Sequence, residues 1–164
     1  MKILALGSNL RYKNNSPIKN IELAYKCIEK FDIKIINKSN IYKSEPYPNK
    51  FDPFFFNSVI SINTNLKPFE LLKNILEIEK FFGRIRKKKN CPRTLDIDII
   101  CYDNLILKKE KLKIPHPLLH KRPFVILPMM DLDENWKHPV LFKTINQLIR
   151  EFKPEELNKV KKIK

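Results

Sequence analysis

Residues 83–100, GRIRKKKNCPRTLDIDII, concentrate side chains able to do chemistry. They hold three arginines (Arg84, Arg86, Arg93), three lysines (Lys87, Lys88, Lys89) and two carboxylates (Asp96, Asp98) beside one apolar run. From Thr94 onward the residues alternate. A strand here would put Asp96, Asp98 and Ile100 on one face and Leu95, Ile97 and Ile99 on the other. Side chains two apart on a strand point the same way, about 7 Å apart. Two carboxylates so placed can share a hard cation, and magnesium favours one or two carboxylates completed by phosphate oxygens. The adjoining cations suit those phosphates. Asp-x-Asp is short and common, however, and an exposed edge strand with solvated aspartates would look the same. Spacing alone leaves both readings open.

The whole chain narrows the partner. Its 33 basic and 18 acidic residues give a net charge of +15, which favours an anion: nucleotide, nucleic acid or anionic membrane. Most of that charge is scattered lysine in a chain rich in Ile and Asn with only two glycines, a compositional bias more than a surface. Arginine is more telling. Three of the six lie between positions 84 and 93, and only arginine offers a planar fork for bidentate contact with phosphate. With 164 residues, 43% of them hydrophobic, a single domain spanning 1–164 with a real core is expected. Cys27, Cys91 and Cys101 are odd in number and lack metal-site spacing, so a reducing, cytoplasmic setting is expected. MKILALGSNL has too short an apolar run for a signal peptide, and no run reaches the length of a membrane span.

The elements that must position these residues are legible in order. Residues 2–6 predict a first strand, closed by the turn-like Gly7-Ser8-Asn9. Ser16 and Pro17 start a helix with an apolar stripe of Ile21, Ala24, Ile28 and Phe31. Residues 33–42 read as a second strand, and 43–53, with three prolines, as a long loop of the kind that is often functional. Residues 54–63 predict a third strand, with Phe54, Phe56, Ile60 and Ile62 toward the core. Phe55, Asn57, Val59 and Ser61 fall on the other face, where a ring and an amide could meet a planar ligand or simply pack. Pro68 opens a second helix to about 82, with Leu71, Leu72, Ile75, Ile78 and Phe82 inward, Glu79 on the flank of that stripe, and Gly83 as its C-cap. The Asp-x-Asp strand follows to 102. A small hairpin over 105–107 and 112–114 comes next, then a segment with His116, His120, Arg122 and Phe124. Pro117, and the lack of a glutamate between the histidines, argue against a zincin motif. Residues 144–152 read as a last helix and 155–164 as a charged, solvated tail.

Strand, helix, strand, strand, helix, strand is the split βαβ order. It implies an α+β ferredoxin-like sandwich: an antiparallel four-stranded sheet core with helices on one face, plus a C-terminal extension of short strands and helices. The opposite face would carry Phe55, Asn57, Asp96 and Asp98 together. With glycine only at 7 and 83, neither a Walker loop nor a GxGxxG turn exists, so any nucleotide must be held by side chains and metal. A nucleotidyltransferase would carry its Gly-Ser and Asp-x-Asp close together, which this chain does not.

The ordered set LGSN (6–9), FFN (55–57), IE…GRIR (78–86), PRTLDIDI (92–99), IPHP (114–117) and RPF (122–124) closely resembles the 6-hydroxymethyl-7,8-dihydropterin pyrophosphokinases of folate biosynthesis, over roughly residues 3–130. The resemblance implies the ferredoxin-like sandwich and transfer of the pyrophosphoryl group of ATP, the co-substrate, to the pterin hydroxymethyl group, with release of AMP. It implies Asp96 and Asp98 as ligands of two magnesium ions and Arg84 and Arg93 as stabilisers of charge during transfer. Arg86, Arg93, Lys111, His116 and Arg122 would contact ATP, with Glu79 at the rim of the site. Phe55 and Phe124 would sandwich the pterin, with Asn57, Asp96 and the backbone of Ser44 to Tyr47 reading it. The basic loop and the 43–53 loop are expected to close over ATP.

The chain departs from the family at several places. Asn90 and Cys91 stand where tryptophan and a small residue are usual, and Pro117, Lys111, Glu45 and Tyr47 also differ. An active enzyme with weaker nucleotide packing is expected, acting as a monomer without nucleic-acid or membrane partners. Two alternatives compete. One is an RRM-like RNA-binding module, which shares the strand order and suits the positive charge but lacks an RNP1-like aromatic run. The other is an interaction domain that has lost activity.

Overall fold

The computed structural model describes residues 1–85 and 91–163. In chain order the elements are β1 (Lys2–Ser8), α1 (Pro17–Ile28), β2 (Lys34–Lys38), β3 (Tyr42–Ser44), β4 (Phe55–Asn63), α2 (Pro68–Phe81) and β5 (Asp96–Tyr102). A hairpin of β6 (Leu107–Lys108) and β7 (Lys113–Ile114), a 3-10 turn (Leu119–Lys121), α3 (Pro123–Met130), α4 (Ile145–Ile149), α5 (Pro154–Asn158) and β8 (Val160–Lys162) complete the chain. The main sheet runs β5-β1-β4-β3-β8, with β2 also paired to β4, and every pairing is antiparallel.

Local signals account for the first two helices. Ser16 accepts from the backbone N–H of Lys19 at 3.2 Å and Pro17 holds the first position, so α1 starts where a capped helix should. Ile21, Ala24 and Ile28 of α1 and Leu71, Ile75 and Ile78 of α2 are fully buried against Leu4, Leu6, Ile60, Ile62, Ile97 and Ile99 of the sheet. Burying one such aliphatic side chain contributes about 1.5–3 kcal/mol, so this layer dominates the stability. Phe82 closes it behind α2.

The expected second strand is broken in two. Ser39 interrupts the ladder: its N–H donates to Val59 O at 2.9 Å, and its Oγ accepts from Val59 N at 2.9 Å. A side chain thus replaces a backbone partner, and β3 starts afresh at Tyr42. Phe54, expected in the core, is 47% exposed because β4 begins only at Phe55, and the Lys43 ammonium lies over its ring.

The opposite sheet face is also partly covered. Ile3, Val59, Ile100 and Cys101 pack there against Leu119, Val125, Ile126 and Met129 around α3 and against Ile145 and Leu148 of α4. Helices on one face therefore holds for α1 and α2 alone. Sequence reading missed α3 because PFVILPMM is apolar all round, so it has no polar stripe to betray its period. The 155–164 segment keeps mostly exposed side chains, but its backbone is regular through 163. α5 leads into β8, which pairs with β3 and extends the sheet.

Candidate functional site

The part of that second face left free of helices presents the residues expected to do the chemistry. Gly7 on the central strand stands between Asn57 of β4 and Asp96 of β5, and Ala5 stands between Val59 and Asp98. The two aspartates therefore share a face with Asn57, as alternation predicts. The floor between them is built from the two smallest residues available. A Cβ on Gly7 would lie 3.3 Å from Asn57 Oδ1, so a larger residue would fill the space.

The LGSN turn is more than a turn. Ser8 donates to Thr94 O at 2.5 Å, while Asn9 N and Leu10 N donate to Arg93 O at 3.0 and 3.1 Å. Asn9 Oδ1 accepts from Arg93 N at 2.7 Å, and its amide reaches Pro53 O at 3.1 Å. Asn20 of α1 adds a bond to Thr94 O at 3.1 Å. Three buried polar side chains thus tie the approach to β5, and the end of the 45–53 loop, to the end of β1.

Arg84 is held by the end of α2. Gly83 takes φ +70°, and its N–H donates to Lys80 O at 2.9 Å while Arg84 N donates to Glu79 O at 3.1 Å. That is the Schellman pattern, which needs a left-handed residue at this position. The Glu79 side chain, only 1% exposed, accepts from Arg84 Nη1 and from Ile97 N at 2.8 Å. It is buried inside the site wall rather than at the rim. On the flank of the apolar stripe it is buried outright rather than snorkelling to the edge, because β5 offers it a backbone N–H from the other side.

Arg84 Nη1 also pairs with Asp96 Oδ1, and Arg93 Nε lies 3.0 Å from Asp96 Oδ2. Asp98 Oδ2 accepts from Arg122 Nη1 at 2.9 Å and lies 3.9 Å from His116 Nε2. His116 arrives there through a bulge. The β1–β5 register shifts between Ile3 and Leu4, skipping Ile100, whose carbonyl accepts from His116 N at 2.9 Å. His116 Nδ1 accepts from Leu118 N at 3.1 Å, leaving Nε2 toward Asp98. Burial holds this imidazole below its usual range; Asp98 opposes that, Arg122 reinforces it and Asp96 opposes it.

Two aromatic rings flank the charges. The Arg93 guanidinium lies 5.1 Å from the Phe55 ring centroid, and that of Arg122 lies 5.8 Å from Phe124. Asn57 Nδ2 donates to Ser44 Oγ at 2.8 Å, which fixes the amide and brings β3 into the site. Arg84, Arg93, Asp96, Asp98, His116, Arg122, Phe55, Phe124, Asn57, Ser44 and Glu79 are therefore linked by these contacts and pairings. Tyr47 is not: it is 80% exposed in the loop after β3. Lys111 is exposed in the turn between β6 and β7 and enters none of these contacts. Arg86 lies outside the described residues.

Sequence reading missed the roles of Gly7, Ser8, Asn9 and Asn20. The LGSN motif and its turn composition marked Gly7, Ser8 and Asn9, and Asn20 showed as a polar residue beside the apolar stripe of α1. For a metal, no group of three His, Cys, Asp or Glu side chains converges among the described residues. Two carboxylates on one face suit a hard cation that takes its other ligands from phosphate and water, so the donor set fits magnesium better than zinc.

A family model for 7,8-dihydro-6-hydroxymethylpterin-pyrophosphokinase matches residues 3–134. The chain is 35% identical over 158 residues to the 2-amino-4-hydroxy-6-hydroxymethyldihydropteridine pyrophosphokinase of Haemophilus influenzae, covering 96% of each. It is 42% identical over 145 residues to the folic acid synthesis protein FOL1 of Dictyostelium discoideum, covering 88% of this chain but only 21% of that protein. A crystal structure of Plasmodium falciparum HPPK-DHPS superposes with a TM-score of 0.77 at 18% identity, over 99% of this chain and 48% of that one, a likeness of fold. By the extent of the family match and of the Haemophilus relative, the chain belongs to the 7,8-dihydro-6-hydroxymethylpterin-pyrophosphokinase family.

Proposed function

We propose that this chain transfers the pyrophosphoryl group of ATP to the hydroxymethyl group of 6-hydroxymethyl-7,8-dihydropterin, giving AMP and the pterin diphosphate in folate biosynthesis. The observation that carries this reading is the pairing of Arg84, Arg93 and Arg122 with Asp96 and Asp98, on a sheet face that also presents Asn57. The hydroxymethyl oxygen attacks the β-phosphorus, the bond from that phosphorus to the α,β-bridging oxygen breaks, and the hydroxyl proton leaves to solvent. Phosphoryl chemistry asks mainly for alignment and neutralised charge, which is what these side chains can supply.

Asp96 and Asp98 are the residues that would hold magnesium, two ions by family likeness. When bound, magnesium would neutralise the triphosphate and lower the pKa of a nearby hydroxyl. Arg84 and Arg93 stabilise negative charge on the transferred group, and Arg122 and the Nε2–H of His116 bind nucleotide phosphate. Asn57, oriented by Ser44, reads the pterin edge over the floor left by Gly7, while Phe55 and Phe124 stack on its ring. The β1-α1-β2-β4-α2-β5 run serves as a ferredoxin-like core, a reading supported by the order β5-β1-β4-β2. Three free cysteines are in keeping with a reducing, cytoplasmic setting. An RRM-like RNA-binding role has no support in the comparisons.

A coupled assay with hydroxymethyldihydropterin tests the proposal. AMP is the expected product, and ADP would contradict it. Asp96→Asn and Asp98→Asn are each expected to lower turnover by about 100-fold or more with the fold retained. Wild-type rates in either would remove the metal assignment, and a wild-type chain that binds substrates without turnover would favour an interaction domain.

A further inference from the structure

We infer that Arg84 and Arg93 shut the Asp96–Asp98 pair against a bare divalent cation, so that metal enters only together with phosphates that draw the arginines away. The inference rests on the function proposed above and concerns how the same site excludes its metal. Both oxygens of Asp96 are engaged, Oδ1 by Arg84 and Oδ2 by Arg93, and Oδ2 of Asp98 is engaged by Arg122. Among the described residues of this cluster, the acids Glu79, Asp96 and Asp98 face the bases Arg84, Arg93 and Arg122, three against three. The Arg84 and Asp96 side chains are only 12% and 19% exposed, so their attraction is screened less than at the surface.

A divalent cation arriving alone must displace guanidinium groups ion-paired to the aspartates and then sit beside them with nothing to neutralise the excess. Arriving with a triphosphate, it brings acceptors for those same groups. Metal and nucleotide then favour each other's binding, and the coupling acts equally in both directions. The fold keeps the arginines in place meanwhile. Arg84 is fixed through Gly83 and Glu79, and the Arg93 backbone through Asn9.

Counting free Mn2+ by electron paramagnetic resonance, without nucleotide, reads the inference directly. Wild type is expected to bind Mn2+ weakly and Arg93→Met to bind it about 10- to 100-fold more tightly, the worth of removing one partly screened like charge from beside the metal. Because Arg84→Met would take a cationic partner from the buried Glu79, the second variant is Glu79→Gln with Arg84→Met, and the same tightening is expected. Arg150→Met, an exposed charge at the end of α4, is the control and leaves Mn2+ binding unchanged. With α,β-methylene-ATP added the order reverses, wild type taking up the Mn2+–nucleotide complex more tightly than the site variants. Bare Mn2+ binding no tighter in both site variants than in wild type, while wild type still takes up the complex, overturns the lock and leaves the proposed function standing. Failure of wild type to take up the complex at all overturns both.

Discussion

Replacing Glu79 separates a buried positioning role from contact with the nucleotide. Its carboxylate is almost wholly buried and accepts from Ile97 N at 2.8 Å and from Arg84 Nη1. Glu79→Ala leaves Ile97 N–H in the interior without an acceptor, which costs about 1–3 kcal/mol. It also removes one side of a buried ion pair, a change usually worth about 3–5 kcal/mol. These effects overlap, and Arg84 keeps Asp96 as a partner, so the net loss should be about 3 kcal/mol. That is a large share of the roughly 5–15 kcal/mol of a whole domain. Glu79→Gln keeps an acceptor for Ile97 and a hydrogen bond to Arg84, and should lose about 1 kcal/mol. Urea unfolding at constant m-value measures both. In kinetics, loosening Arg84 should lower kcat more in the alanine variant than in the glutamine variant, with KM for ATP changing less than kcat. Should Glu79→Ala unfold within about 0.5 kcal/mol of wild type and raise only KM for ATP, the residue acts at the rim of the site and the reasoning fails.

Two further expectations come from the same structure. Gly7→Val places a branched side chain on the floor beside Asn57 Oδ1, 3.3 Å from where its Cβ would stand. KM for the pterin should rise about tenfold or more while thermal stability stays close to wild type, since valine favours strands; an unchanged KM would remove Gly7 from the site. His138 is buried, and its Nδ1 accepts from Val140 N and Leu141 N, both at 3.1 Å. Burial pushes its pKa down to about 4, and neighbouring His120 pushes the same way. With the folded value below the unfolded one of about 6.5, the stabilisation is full above that pH and is lost as pH falls through 4. It amounts to about 3 kcal/mol at most. His138→Asn, which keeps an acceptor but does not titrate, should lack that component. Parallel urea midpoints for the two proteins from about pH 7 to 4 would refute it.

Which features of this protein are legible in its sequence depends on the range of the forces involved. Ser16-Pro17, Gly83 and the alternation of 95–100 act within a few residues, through a cap, a left-handed φ and a two-residue pleat. Their consequences were therefore readable in the chain, including the shared face of Asp96 and Asp98. What lay beyond reach depended on partners far away in sequence. Glu79 is a buried anchor only because Ile97 and Arg84 converge on it, and Ser39 breaks a strand only because Val59 lies opposite. Tyr47 and Lys111 stand at family positions with residues that depart from the usual ones; Tyr47 is exposed in the loop after β3 and Lys111 in the turn between β6 and β7. α3 hid because a wholly apolar run carries no polar stripe to show a period, and residues 160–162 form a strand only because β3 has an edge to offer. Residue type and spacing determined which chemistry this face could carry; the crossing of β1 between β4 and β5 decided which acids and arginines met there, since only tertiary contact brings such distant charges within hydrogen-bond reach.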